Sequence, residues 1–178
     1  GFLTLNNEQW AQDITNMLIM IEGFPTYGGL EGRDLEAMAR GLREVLDEDY
    51  LSFRIGQVRY LGELLDQAGV PILKPIGGHA VYLNAKEFLP HIQQDHFPAQ
   101  SLAVALYREY GIRGVEIGTA MFGKKDPATG RTIHPELEMV RLAIPRRVYT
   151  NMQITYVAES IIELYRTREM IHGLRLIY

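Results

Sequence analysis

Apolar residues recur at helical spacing from about residue 31 to 68, through Leu35, Met38, Leu42, Val45 and Leu46, and again through Leu51, Ile55, Val58, Leu61, Leu64 and Leu65. A straight helix of that length would run about 55 Å. A single compact domain made from 178 residues is narrower than that. The helix is therefore expected to bridge two bodies, with a kink near Asp47 and Tyr50 and the domain boundary beside it. Gly69 ends the pattern and Pro71 keeps it from resuming.

Shorter elements flank this helix. Residues 2–5 read as a strand, and Asn6 with Gln9 three positions on reads as a capping box opening a helix over about 7–22. The turn Gly23-Phe24-Pro25-Thr26-Tyr27-Gly28-Gly29 combines Pro, aromatics and a glycine pair, the composition of an ordered loop that approaches something closely. Residues 70–75 and 79–83 read as a hairpin about Ile76-Gly77-Gly78. Helices are expected over 86–92 and over 98–110, the second opened by Pro98 and stopped by Gly111. A strand over 114–122, a polar loop over 123–131, a strand around Arg141 and a last helix over about 152–171 complete the order, with Thr150 or Asn151 as N-cap. This alternation belongs to the α/β or α+β classes.

Composition excludes several function classes. The chain carries 18 basic and 22 acidic residues, a net charge of -4, with no basic stripe, so it is not read as a nucleic-acid binder. It has no cysteine, which removes disulfides, thiolate metal ligands and cysteine nucleophiles. The five histidines have neither a partner at i, i+4 nor carboxylates at ligand spacing, and no metal site on protein ligands is expected. His79, beside two glycines at a strand start, reads as structural. No apolar run reaches transmembrane length and no secretory signal opens the chain. Opening on Gly1 rather than Met, the chain reads as beginning inside a larger polypeptide.

One cation stands out in an apolar setting. Arg141 interrupts the apolar run Met139-Val140-Arg141-Leu142-Ala143-Ile144. A guanidinium in that setting costs several kcal/mol unless an anion compensates it, and its planar fork grips carboxylates bidentately. That anion is either a protein Asp or Glu or the carboxylate of a substrate. No G-x-S-x-G elbow, Walker loop, Rossmann fingerprint or H-E-x-x-H pair occurs, and the acidic residues read as solvated helix faces. Taken alone, the residues do not show where the chemistry lies.

Four segments, taken in order, carry a resemblance: the 23–29 turn, Gly77-Gly78-His79-Ala80, Phe97-Pro98-Ala99-Gln100-Ser101-Leu102-Ala103, and Val140-Arg141-Leu142-Ala143-Ile144-Pro145-Arg146. With them the chain resembles, from end to end, the C-terminal part of the β-eliminating lyases, the tryptophanase and tyrosine phenol-lyase group. The resemblance implies an α/β protein of the PLP-dependent transferase-like class (aspartate-aminotransferase fold type). Residues 1–49 would close the large cofactor-binding domain and residues 50–178 would form the small α+β domain. It also implies pyridoxal 5'-phosphate as cofactor, a monovalent cation such as potassium, an aromatic amino-acid substrate, a cytoplasmic homotetramer and a cleavage yielding pyruvate and ammonia.

On that resemblance Arg141 matches the arginine that grips the substrate's α-carboxylate. Tyrosine phenol-lyases carry an arginine where this chain has Ile117, so Glu116-Ile117-Gly118 is the tryptophanase-like form and Ile117 the specificity residue. Tyr27 matches a segment near the subunit interface and active site. The Schiff-base lysine and most of the cofactor cradle would lie upstream of Gly1, so the 178 residues alone are expected to be inactive without a missing N-terminal half. Tyrosine phenol-lyase or cysteine-desulfhydrase-like activity stands as an alternative. A non-catalytic interaction module derived from the small domain is another.

Overall fold

A computed structural model describes residues 2–177. The chain divides into two compact units, Gly1–Leu51 and Ser52–Tyr178.

The first unit holds helices α1 (Glu8–Ile21) and α2 (Gly32–Glu44). Asn7, not Asn6, caps α1: its side chain accepts from the Trp10 amide at 2.9 Å, while Gln9 instead donates to Asp13 one turn on. Residues 2–5 form no strand, because among the described residues this unit contains no strand to pair with. The 23–29 turn is ordered, and what it approaches is itself. Gly29 (φ +76) lies so close to Gly23 that a Cβ on Gly23 would sit 2.7 Å from the Gly29 Cα.

The expected long helix is two. Helix α2 ends at Glu44, and α3 (Glu48–Gln67) starts after a three-residue break, Val45-Leu46-Asp47. Asp47 causes the restart by accepting the Tyr50 amide at 2.8 Å, an N-cap with Glu48 and Asp49 favourably placed in the first turn. Apolar periodicity carries through such a break because both helices present apolar stripes; it reads the stripe and not the cap.

The second unit is built on a three-stranded antiparallel sheet in the order β1-β5-β2, with β1 at Ala80–Asn84, β5 at Met139–Ala143 and β2 at Val115–Ile117. Side chains alternate across the pleat. Val81 and Leu83 of β1 and Val140 and Leu142 of β5 enter the core. There they meet Val58, Leu61 and Leu65 of α3, Leu102 and Leu106 of α5 (Pro98–Tyr110), and Ile154, Ala158 and Ile161 of α7 (Asn151–Arg166). Burying each such Leu or Ile contributes about 1.5–3 kcal/mol. Helix α5 runs over the expected residues, closed by Gly111 in the left-handed conformation (φ +68).

Several expected elements are shorter. Residues 70–75 make only a single bridge, Ile72 to Leu83, because Pro71 and Pro75 have no N–H to donate. Helix α4 stops at Phe88 (Ala85–Phe88), since Pro90 disfavours helical backbone at Leu89. Helix α7 ends at Arg166, and a 3-10 turn, Arg168–Met170, follows. The strand expected over 114–122 ends at Ile117 and gives way to a short helix, α6 (Thr119–Phe122). The polar loop that follows is a small hairpin, β3 (Lys124–Lys125) with β4 (Thr132–Ile133), turned by Asp126, whose carboxylate accepts from Ala128 and Thr129.

Candidate functional site

Strand β5 is the middle strand, so its residues have neighbours on both sides. Arg141 pairs with Tyr82 of β1 and Val115 of β2, and Met139 pairs with Asn84 and Ile117. Because directly opposed residues share a face, Arg141, Tyr82, Val115, Met139 and Ile117 lie on the sheet face opposite Val140 and Leu142. Arg141 and Ile117 are diagonal neighbours, about 7–8 Å apart along the ladder. The register thus brings together two residues that are far apart in sequence.

Arg141 is half-buried, and its Nε is buried without a hydrogen-bond partner. No carboxylate among the described residues forms an ion pair with it. A cation in this position keeps donors available for an incoming anion. Flanked by the Tyr82 ring and Val115, the face combines an aromatic wall, an aliphatic wall and one positive fork.

Tyr27 belongs to the other unit. It lies in the 23–29 turn, 42% exposed, with its ring 5.9 Å from that of Phe24. His79 is exposed and contributes its carbonyl to Ile144, while its ring stands edge-on to Tyr82 at 6.5 Å.

Two buried acids escaped sequence reasoning. Glu138 is fully buried and Glu116 is 7% exposed, although acidic residues elsewhere in the chain sit on solvated faces. Glu138 Oε1 accepts from the Thr119 amide at 2.8 Å, from the Thr119 hydroxyl and from Gln94 Nε2 at 3.2 Å. Glu116 accepts the Ala120 amide on Oε1 and the Met121 amide on Oε2, each at 3.0 Å. Burial pushes the Glu116 carboxyl above its ordinary value; the amide donors oppose that shift and the neighbouring Glu138 adds to it. His134 lies between Asp95, 3.0 Å from Nε2, and the Thr119 hydroxyl, 3.3 Å from Nδ1. The available signal was Glu138 lodged between Leu137 and Met139, as anomalous there as Arg141 is among its own neighbours.

The lysines do not build a cofactor site here. The chain has four, and none lies on the three-stranded sheet. Lys74 pairs with Asp66 at 2.6 Å, Lys86 donates to the Glu136 carbonyl, and Lys124 and Lys125 form β3, where Lys125 donates to Thr132. These residues do not fit a Schiff-base site for pyridoxal phosphate, and no step through that group is assigned to them. Among the described residues no cluster of three or more His, Asp or Glu could hold a metal ion, and no helix is long and apolar enough to cross a membrane.

Comparison with known proteins agrees over most of the chain. The family model for beta-eliminating lyases matches residues 38–160. Tyrosine phenol-lyase of Symbiobacterium sp. (strain SC-1) is 53% identical over 178 residues, covering 100% of this chain and 39% of its own length. Tryptophanase of Salinibacter ruber is 58% identical over 159 residues, 89% of this chain and 33% of its own length. A probable tryptophanase of Aeropyrum pernix is 49% identical over 178 residues, 99% of this chain and 38% of its own length. The chain therefore spans about two fifths or less of the length of these curated relatives, and it belongs to the beta-eliminating lyase family.

Proposed function

We propose that this chain is the C-terminal portion of a pyridoxal-phosphate-dependent β-eliminating lyase, and that the complete enzyme is a tryptophanase, converting L-tryptophan and water to indole, pyruvate and ammonia. The observation that carries the reading is Arg141, half-buried, with an unpartnered Nε and no ion pair to a carboxylate among the described residues. Arg141 receives the α-carboxylate of the amino acid. Two parallel N–H···O bonds fix the rotation about Cα, so the Cα–H bond is presented in one orientation instead of many. Ile117, diagonal to Arg141, borders the side chain. Its aliphatic surface suits the apolar edge of indole and has no donor for a phenol oxygen, which is why we favour tryptophan over tyrosine. Residues 1–49 are read as the end of the large domain and 50–178 as the small domain, with Tyr27 assigned an active-site or subunit-interface role in the complete enzyme. Pyridoxal phosphate and a monovalent cation such as potassium would be held by residues outside this chain, in a cytoplasmic homotetramer. The 178 residues alone are expected to release no indole.

Relatives named tyrosine phenol-lyase match the whole chain at 53% identity, so phenol release is the alternative to be tested directly. The full-length protein, supplied separately with L-tryptophan and L-tyrosine, decides: indole released faster than phenol supports the assignment, and phenol released faster reverses it. A second reading, an interaction module, draws on α1, which buries none of its residues and exposes Trp10, Met17, Ile19, Met20 and Ile21. Full-length protein that releases neither product would favour it.

A further inference from the structure

The segment that follows Ile117 is held in an unusual way. Helix α6 is one turn long, and its first amides have no intrahelical acceptor. Three of them in succession, Thr119, Ala120 and Met121, are taken by two buried carboxylates, Glu138 for the first and Glu116 for the others. A single Ser, Thr or Asp suffices to cap a helix. Bringing two acids into one buried site is instead costly, because each burial disfavours the charged form and the two repel.

What the pair achieves is placement. Glu116 immediately precedes Ile117, and Glu138 immediately precedes Met139, the cross-strand partner of Ile117. The carboxylates pass beneath Gly118. A Cβ at that position would collide with Glu138 Oε2 and lie 2.8 Å from Glu116 Oε1. Ile117 is therefore tied on one side by the β2–β5 ladder and on the other by amides anchored two residues downstream. Glu138 is fixed in its turn by Gln94, which bonds both to its Oε1 and to the Pro135 carbonyl at 3.0 Å. The Glu138 carbonyl also accepts the Ala85 amide at 2.8 Å.

We propose that Glu116 and Glu138 are positioning residues for substrate specificity: as a two-carboxylate clamp on Thr119-Ala120-Met121, they hold Ile117 against the side chain of the amino acid whose carboxylate Arg141 binds. The proposal rests on the substrate-binding reading of Arg141 and Ile117. It separates the two ends of the substrate. Loosening the clamp impairs recognition of a large aromatic leaving group, while an amino acid with a small one, such as an S-alkylcysteine, still needs Arg141 but not Ile117.

The experiment uses the full-length lyase and the ratio of kcat/KM for its aromatic substrate to kcat/KM for S-methylcysteine. Glu138→Ala is expected to lower that ratio at least tenfold, with the S-methylcysteine value within about threefold of wild type. Glu138→Gln, which keeps an acceptor for the Thr119 amide, is expected to restore most of the ratio. If Glu138→Ala does not fold, Thr119→Val decides, with an expected selective fall of at least threefold. Equal falls for both substrates, or an unchanged ratio, would overturn the proposal. A second readout needs no turnover: in cofactor-free enzyme, amide hydrogen exchange in the peptide covering 117–122 should quicken at least tenfold in the same variant, and unchanged exchange counts against the clamp. Wild-type enzyme releasing phenol and not indole would reverse the substrate assignment without touching this test, because the ratio is then taken with tyrosine. Wild-type enzyme that cleaves neither aromatic amino acid refutes the substrate reading, and hydrogen exchange alone then reports on the clamp.

Discussion

The Arg141 guanidinium forms no ion pair among the described residues. Its Nε is buried without an acceptor and no carboxylate among the described residues pairs with it, so the fold bears a desolvation cost that a bound carboxylate would offset. Replacing it with Met, which fills a similar volume without charge, should leave stability unchanged or raise it by about 1 kcal/mol. Denaturant unfolding of the two proteins measures this, and a loss above about 1 kcal/mol would reveal a protein partner for the guanidinium. Glu116 behaves differently because its folded carboxyl titrates above its ordinary value. The folded state then holds the proton more tightly than the unfolded chain. Its contribution is fully present below the ordinary glutamate value of about 4.3 and is lost as pH rises through the raised folded value. Glu116→Gln should remove that component, so wild type should lose stability relative to the variant across this window and run parallel to it at higher pH. A difference independent of pH throughout would contradict the assignment.

Elements whose ends are set by local chemistry were legible in the sequence, and those set by tertiary contacts were not. Helix α7 starts where Thr150 predicts, with Thr150 and Gln153 forming a reciprocal capping box. Thr150→Ala should cost about 1 kcal/mol, read as a lower thermal midpoint; no change would mean the box is not stabilising. Helix α5 was equally readable from Pro98 and Gly111. Strand β2 was overextended because Ala120, Met121 and Phe122 carry strand-like apolar character, and nothing local signals that Glu138, 19 residues from Thr119, takes the Thr119 amide. The break between α2 and α3 depends on one aspartate in a helical stripe, and helical periodicity passes over it. At the candidate site, Arg141 and Ile117 were singled out from the sequence, but their shared face required the antiparallel register about β5. Glu116 and Glu138 were missed as a pair because their proximity is a property of that register alone.

At the scale of the whole molecule, family membership rests on a match over residues 38–160 and on relatives aligned along essentially the entire chain. Arg141 and Ile117, to which we assign the carboxylate grip and the specificity wall, share one face of the three-stranded sheet, and the four lysines are placed away from that sheet. Our proposal divides the labour between segments: this part would orient the amino acid, and the remainder of the longer relatives' length is where we place the cofactor. If Ile117 is the wall for indole, Ile117→Arg in the full-length enzyme should lower kcat/KM for tryptophan by at least tenfold, since a charged side chain would have to be desolvated against an apolar ring, at a cost of about 1–3 kcal/mol. Unchanged tryptophan turnover would remove Ile117 from the site. The central claim, that Arg141 binds the substrate carboxylate, is tested most directly by indole release from full-length Arg141→Ala. Loss of a bidentate charge-assisted contact should cost about 3 kcal/mol, roughly a 150-fold fall in kcat/KM; turnover within about threefold of wild type would contradict it.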